Sequence, residues 1–381
     1  MTELYLEYSG NNTYPTVIQW EEGYRIEALF ILLALTGLLS WAKRIQKQNE
    51  KLRESQILNK TFASPHDIHV ETFDFSVSTG HLRNFWTKPI TCCTHKQPDA
   101  WLTPYTQNWM ANLHDSTRLS NLSIPGTHDT ASVHGGLWEV FVKTQSWSIQ
   151  TQLDAGIRYF DIRCRREGDK FAIYHGHVSQ QIDFDDVLNI IKSFLQSNPS
   201  ETLLMRIKEE YKPTENSLQF GVIWDTYMKE KGYGEMMACN LNSCIPCLGS
   251  VRGKIVILRD EEDIDRSYGL EYNRTGNAVM EVQDDYSIHA FYQGMSKKKA
   301  VIKEYICKAR EGCEKLVINH CSGTWIPIYS PIGVARKTNR AAYDEIACLE
   351  YPNNKCVGII VMDFPGEELI HKIISANIAS C

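Results

Sequence analysis

The chain has 381 residues, of which 43% are hydrophobic and 23% are charged, and its formal net charge is −6 at pH 7. These values are typical of a globular protein of one or two domains, and they exclude a largely disordered chain, a collagen-like repeat and a multi-span membrane protein. The acidic balance argues against a nucleic-acid partner, although a single arginine can bind one phosphate group on an acidic protein.

The first predicted element is an uncharged hydrophobic segment, residues 28–42 (ALFILLALTGLLSWA). It is shorter than the roughly 20 residues that span a bilayer, and Lys43, Arg44 and Lys47 follow it. Two alternatives stay open. A single N-terminal anchor would place the rest of the chain in the cytosol by the positive-inside rule. A cleaved secretory signal would use the small residues of 40–42. We therefore expect a membrane-associated protein, or a secreted one if the segment is removed.

Composition divides the chain into four parts. Residues 1–25 form an N-terminal extension, residues 26–45 contain the hydrophobic segment, and residues 46–100 are a polar linker or stalk. Residues 101–381 carry the pattern of a globular domain, in which short β-branched runs alternate with longer amphipathic stretches.

Eight of these short runs are predicted strands: Leu119–Ile124, Arg158–Arg163, Phe171–Tyr174, Thr202–Lys208, Lys254–Arg259, Ala278–Gln283, Lys315–Asn319 and Val357–Asp363. The predicted helices between them include Ser148–Ala155, Phe184–Gln196, Ser296–Ala309 and Gly366–Ala376. Alternating strands and helices favour a parallel sheet, and eight strands predict a single (β/α)8 TIM-type barrel, of the α/β class, in which irregular strands are allowed.

Seven of the eight runs have ionisable residues at their C-terminal ends, where such barrels carry their active sites. The groups include two histidines, several carboxylates and arginine. Histidine can act as base or acid near neutrality, a carboxylate behind it fixes its tautomer, and arginine binds phosphate oxygens. The sequence therefore predicts acid–base catalysis of phosphoryl transfer.

The twelve cysteines are compatible with disulfides or with buried thiols. Cys244 and Cys247 have the spacing of half a zinc site, but no second pair follows them at the spacing of a zinc finger. We therefore do not predict a zinc site.

The combined motifs resemble the X domain of phosphatidylinositol-specific phospholipase C, and most closely the small, metal-independent bacterial enzymes. The resemblance covers roughly residues 105–380. It rests on Ile124–Asp129 (IPGTHD), Asp154–Arg163 (DAGIRYFDIR), Tyr174–Gly176 (YHG), Asn198–Thr202 (NPSET), Met205–Tyr211 (MRIKEEY), Gly253–Leu258 (GKIVIL), Val282–Tyr286 (VQDDY) and Val357–Asp363 (VGIIVMD).

The resemblance implies a mechanism. His128 would deprotonate the inositol 2-hydroxyl with Asp363 as its partner, and His175 would protonate the leaving diacylglycerol with Asp129 beside it. Arg163 would contact the phosphate, where calcium-dependent relatives place a metal carboxylate, so no metal or other cofactor is expected. The implied product is inositol 1,2-cyclic phosphate.

The resemblance also implies a headgroup pocket containing Lys208, Asp284 and Tyr286. The pocket arginine of the family falls one position along, so Arg259 is the nearest match and Asp260 stands at the literal position.

Residues 133–142 correspond to the short helix with which the bacterial enzymes touch the membrane, so Trp138 and Phe141 are expected interfacial contacts. Ordinary packing of these side chains is the alternative. The expected partners are a phosphatidylinositol-type lipid, free or glycosylated, and a membrane surface. We expect a monomer and no nucleic acid.

Two other functions stay open. One is a metal-dependent glycerophosphodiesterase-like enzyme, in which Asp129, Asp161 and Glu209 would hold a divalent ion; Arg163 among them argues against it. The other is a non-catalytic barrel that binds inositol lipids.

Overall fold

The structure is a computed structural model that describes residues 104–136, 139–241, 243–288, 294–312, 314–325, 329–348 and 356–377. The predicted segments 1–25, 26–45 and 46–100 lie outside these ranges, as does Trp138. No helix within the described ranges is long and apolar enough to cross a membrane.

A single ten-stranded sheet forms the centre of the described domain. Its strands are β1 (Ile124–Thr127), β2 (Tyr159–Glu167), β3 (Lys170–His175), β4 (Val178–Asp183), β5 (Leu203–Glu209), β6 (Ile255–Arg259), β7 (Leu270–Glu271), β8 (Met280–Gln283), β9 (Leu316–His320) and β10 (Ile359–Met362). Eight of them are parallel and lie in the order β7-β6-β5-β2-β1-β10-β9-β8, while β3 and β4 extend β2 in antiparallel fashion. The curled parallel sheet confirms an irregular (β/α) barrel.

Three details of the strand prediction were wrong. Phe171–Tyr174 lies in β3, which pairs antiparallel with β2 because only a two-residue turn separates the two strands. The eighth parallel strand is instead β7, whose two residues are too few to give a sequence pattern. The first predicted run begins with a 3-10 turn at Leu119–Asn121, so strand β1 begins only at Ile124.

The helices of the described ranges are α1 (Pro104–Gln107), α2 (Glu139–Val142), α3 (Ile149–Asp154), α4 (Phe184–Ser197), α5 (Phe220–Asp225), α6 (Gly294–Glu311), α7 (Pro331–Ala347) and α8 (Glu367–Ser375). Helices α3, α4 and α7 begin with a side-chain cap from Ser148, Asp183 and Ser330. The Ser148 hydroxyl accepts a bond from the Thr151 amide at the start of α3, and Asp183 and Asp186 form a capping box on α4. Helices α3, α4, α6 and α8 match the predicted ones within two residues.

Neighbouring strands β2 and β5 place charged groups on one face of the sheet. Strand β5, like β10, is mostly buried, as expected of strands covered on two faces. Side chains of one strand alternate between faces, and the register sets Asp161 beside Arg206 and Arg163 beside Lys208. Four charged side chains from two neighbouring strands therefore face the same side.

The opposite end of the barrel is closed by a buried ion pair. Arg158 Nε donates to Glu201 Oε2 at 2.9 Å, and both side chains are 0% exposed. The remaining guanidinium nitrogens donate to the carbonyl oxygens of Leu153, Ile157 and Gln107. This arginine therefore ties the chain before β2 to the helices beneath the sheet.

The eight cysteines of the described ranges are free thiols. Cys164, Cys321 and Cys356 are buried, while Cys244 is exposed and Cys247 is half-buried. Of the two alternatives for cysteine usage, these eight residues match unpaired thiols.

Candidate active site

His128 follows strand β1 and reaches the strand-end face of the barrel. Gly126 lets β1 lie close to β2, since a Cβ atom there would stand 2.8 Å from the Tyr159 Cβ. The His128 amide continues the ladder by donating to the Met362 carbonyl at 3.0 Å. Its ring Nδ1 lies 2.8 Å from Oδ1 of Asp363, the residue directly after β10. Two adjacent strand ends thus form the first histidine–carboxylate pair.

Arg163 fixes the tautomer of His128. Its Nη2 lies 2.7 Å from His128 Nε2, and because a guanidinium can only donate, Nε2 must carry a lone pair. The neutral ring therefore holds its proton on Nδ1 and donates it to Asp363. Burial and the Arg163 charge keep the pKa of His128 well below its usual value. His128 is consequently a neutral imidazole whose Nε2 can accept a proton.

His175 forms the second histidine–carboxylate pair at the end of β3. Its Nδ1 lies 2.7 Å from Asp129 Oδ2 and 3.1 Å from Ser132 Oγ. Asp129 sits in the left-handed region at φ 42°, a strained conformation for a residue with a side chain. Burial would lower the pKa of His175, but the charge of Asp129 and its hydrogen bond outweigh that effect and raise the pKa. His175 therefore favours its protonated form.

Arg163 lies between the two pairs. Its guanidinium stands 3.1 Å from Asp161 Oδ2 and 3.6 Å from both Asp129 Oδ2 and Glu210 Oε2. Burial would raise the pKa of Asp161, but the charges of Arg163 and Arg206 hold it well below its usual value. Arg163 keeps 12% of its side chain exposed, so it can contact a phosphate while its carboxylate neighbours hold it in place.

Lys208 and Asp284 lie beside this centre. Lys208 Nζ contacts Glu210 Oε2 at 3.3 Å, and Glu210 also accepts a bond from the Gly176 amide. Asp284 Oδ2 lies 3.7 Å from Arg206 Nη1. Tyr286 lies two residues after Asp284 and is 55% exposed, so its ring is accessible from solvent.

The structure does not bring Arg259 to this group. The register pairs Arg259 with Ile207 and Leu258 with Arg206, so Arg259 lies on the face opposite Arg206. Its charged neighbours are Glu271, Arg266 and Asp265. Asp260, at the literal position of the family arginine, instead accepts two bonds from Arg206, at 3.0 and 2.6 Å.

The structure describes only one of the two predicted membrane contacts. Phe141 lies on α2 and is half-buried, while its neighbour Val140 is 37% exposed. Trp138 lies outside the described residues. Their contact with a membrane stays a prediction.

Asp161, Glu210, Arg206 and His320 were not predicted as site residues. The metal-dependent alternative gave Asp161 only as a ligand of a divalent ion, whereas its neighbouring cations are Arg163 and Arg206. Arg206 could have been found from strand alternation, since it lies two residues before Lys208. His320 was overlooked because the predicted strand ended at Asn319, one residue early.

The described residues contain no group of three or more His, Cys, Asp or Glu side chains arranged to hold a metal ion. The carboxylates of Asp129, Asp161 and Glu210 converge instead on the Arg163 guanidinium. A permanent cation thus stands where a metal-dependent site would need a divalent ion.

Comparison with known proteins gives consistent matches. The family described as phosphatidylinositol-specific phospholipase C, X domain, matches residues 116–261. A 1-phosphatidylinositol phosphodiesterase of Listeria monocytogenes is 31% identical over 320 residues, covering 81% of this chain and 94% of the relative. The solved phosphatidylinositol-specific phospholipase C of that organism has a TM-score of 0.62 and 31% identity, covering 72% of this chain and 99% of its own. A Staphylococcus aureus enzyme of the same name, at 23% identity and a TM-score of 0.64, covers 73% and 99% and shares the fold.

Proposed function

The chain belongs to the phosphatidylinositol-specific phospholipase C family defined by the X domain, and on that premise we propose that it cleaves phosphatidylinositol as a phosphoric diester hydrolase. The reaction is of the phospholipase C type, so the bond between phosphorus and the glycerol oxygen breaks. The products are diacylglycerol and inositol 1,2-cyclic phosphate.

Two histidines of opposite protonation carry the proposed chemistry. When the substrate binds, the inositol 2-hydroxyl replaces Arg163 as the donor to Nε2 of neutral His128. That nitrogen takes the hydroxyl proton while the hydroxyl oxygen attacks phosphorus. Protonated His175 gives its proton to the departing glycerol oxygen. His128 therefore gains one proton from the substrate, and His175 loses one to the product. Asp363 stabilises the His128 cation as it forms. Exchange with solvent then restores both histidines.

Arg163 stabilises the phosphorane-like charge in this scheme. Because its Nη2 contacts His128 Nε2 at 2.7 Å, the guanidinium already lies beside the position of the attacking hydroxyl. A preorganised cation needs little rearrangement as charge develops, which is how such groups lower a barrier. It takes the electrostatic role that a divalent cation would otherwise have.

One observation supports this proposal above the others. Two histidine–carboxylate pairs flank a single arginine, and their pKa values shift in opposite directions, downward for His128 and upward for His175. Two titratable groups whose pKa values are shifted in opposite directions are suited to act as the base and the acid of one reaction.

The lipid substrate places the enzyme at a membrane surface, and we propose that it works there as a monomer. Phe141 and Val140 are candidate contacts with that surface. N-terminal sequencing of the mature protein separates the two localisations: a chain that starts at Lys43 has lost a signal, and an intact N-terminus supports an anchor.

The test uses the full-length chain, phosphatidylinositol vesicles and excess chelator, with the phosphorus products followed by NMR. We expect the cyclic phosphodiester to appear first and the rate to be unaffected by the chelator. Vesicles of phosphatidylcholine are the control and should not react. Complete loss of activity in chelator would favour the metal-dependent alternative, and phosphatidic acid as the product would exclude phospholipase C chemistry.

A further inference from the structure

A buried polar cluster lies deeper in the barrel than the two histidine pairs. We call it the floor cluster, and it consists of Tyr159, Asp161, Arg206, Tyr272, Asp284 and His320. Arg206 is its central member. It is 0% exposed, its guanidinium lies 4.3 Å from the Tyr272 ring centre, and Asp260 accepts bonds from Nε and Nη2.

Three nitrogens of the floor cluster have no hydrogen-bond partner among the described residues. They are Nη1 of Arg206 and both ring nitrogens of His320. Nη1 stands 3.6 Å from Asp161 and 3.7 Å from Asp284, and His320 Nδ1 stands 3.9 Å from Asp284 Oδ1. These separations exceed hydrogen-bond length. Because an unpaired buried polar group costs free energy, such atoms clustered at a strand-end face indicate a ligand.

The chemistry of the three groups matches a hydroxyl. Burial lowers the pKa of His320 to about 4, so the ring is neutral near pH 7 and offers one donor and one acceptor. Arg206 Nη1 offers donors only, and the Asp284 carboxylate offers acceptors only. A hydroxyl group is both donor and acceptor, so it can bridge a carboxylate and either nitrogen group across the observed gaps.

The position of His320 links the floor cluster to catalysis. Its ring stands edge-on to the His128 ring, with centres 5.9 Å apart, and strand β9 lies next to β10, which precedes Asp363. A polyol ring whose 2-hydroxyl faced His128 would therefore extend toward Asp284 and Arg206.

We propose that Arg206 and His320, together with Asp284, bind ring hydroxyls of the inositol headgroup and thereby determine specificity for a polyol. The inference rests on the proposed function and deepens it. Asp260 acts as a positioning residue, because its carboxylate holds two nitrogens of Arg206 and leaves Nη1 directed at the ligand.

The experiment measures free inositol binding to the full-length chain by calorimetry, together with the melting temperature and the KM for phosphatidylinositol. His320→Phe should weaken inositol binding about tenfold, since it removes a hydrogen-bonding group. Its unliganded melting temperature should stay equal or rise, because two unpaired nitrogens are removed from the interior. A merely structural histidine would show the reverse pattern.

Two further variants and one control sharpen the result. His320→Gln keeps a donor and an acceptor and should bind within about threefold of the wild type. Arg206→Lys keeps the charge opposite Asp260 but loses Nη1, and should weaken binding about tenfold whether or not His320→Phe folds. His114→Phe, at an exposed histidine, should change neither affinity nor KM.

The outcomes separate this inference from the proposed function. If the wild type cleaves phosphatidylinositol and both His320→Phe and Arg206→Lys bind inositol as tightly as it does, the floor cluster holds water alone and the inference is wrong. If the wild type neither binds inositol nor cleaves the lipid, the proposed function fails first and the inference fails with it.

Discussion

Two arginines close to strand β2 have opposite surroundings. Arg158, just before the strand, is fully buried against Glu201, and carbonyl oxygens accept bonds from its remaining nitrogens. Arg163, in the middle of the strand, is partly exposed, and its Nε has no partner among the described residues. A buried charge with all its bonds made is typical of structure, whereas a charge held by carboxylates with donors to spare is typical of a ligand site. The comparison predicts that removing Arg158 mainly lowers stability, whereas removing Arg163 mainly lowers activity.

The largest expected effect is on stability, from Arg158→Ala. Removing one partner of a buried ion pair leaves Glu201 uncompensated and costs about 3–5 kcal/mol. We expect a large fall in the denaturant midpoint for unfolding. Arg158→Ala with a wild-type midpoint would contradict the structural role of this arginine.

Arg163→Ala should mainly lower the catalytic rate. Loss of a preorganised group that stabilises transition-state charge costs about 10²–10³ in kcat. The midpoint for unfolding should fall less than in Arg158→Ala, because Arg206 still stands beside Asp161 and Lys208 still pairs with Glu210. Steady-state kinetics and denaturation of the same preparation check this, and Arg340→Ala, at an exposed position of α7, is a matched control. Equal loss of stability in Arg158→Ala and Arg163→Ala would remove the contrast.

Lys208→Met should have a smaller effect, mainly on KM. Lys208 contacts Glu210 and stands beside Arg163, on the headgroup side of the site. We expect KM to rise about tenfold with kcat nearly retained, as for one lost charged hydrogen bond. A large fall in kcat with unchanged KM would place Lys208 with the reacting groups.

The smallest expected effect is a shift in pH dependence, from Asp129→Asn. Asp129 raises the pKa of His175, so the acid stays protonated to higher pH and the alkaline limb of kcat/KM lies high. Without the carboxylate charge, that limb should move to lower pH. In the wild type, the stability contributed by the pair is present below the unfolded pKa of histidine and is lost as pH rises through the raised folded pKa. An unmoved alkaline limb would show that His175 is not the titrating acid.

The sequence predicted the strands with strong apolar runs, and it failed where the signal was local or absent. Strand β7 has two residues, and the β2–β3 turn decides the direction of β3 without changing its apolar pattern. For the site, too, the residues in strong motifs could be predicted from the sequence. His128, Asp129, Arg163, His175 and Asp363 lie in recognisable motifs and meet in the structure, although their roles stay predictions.

Arg206 and Arg259 show what the sequence alone could not decide. The two lie on neighbouring strands, and only the register shows that Arg206 faces the site while Arg259 faces away. A shift of one residue reverses the face of a side chain, so a one-position departure from a family pattern has a large structural consequence. His320 was missed for a similar reason, since a strand boundary one residue early removed it from the strand-end groups.

The most direct test of the central claim, that His128 is the base and His175 the acid, compares leaving groups. A phosphatidylinositol analogue with a thiol leaving group needs no proton from an acid, whereas its 2-hydroxyl still needs a base. His175→Ala should lose about 10²–10⁴ in kcat on the natural substrate and recover most of it on the thiol analogue, while His128→Ala should remain slow on both. Equal recovery of both variants, or of His128→Ala alone, would contradict the assignment.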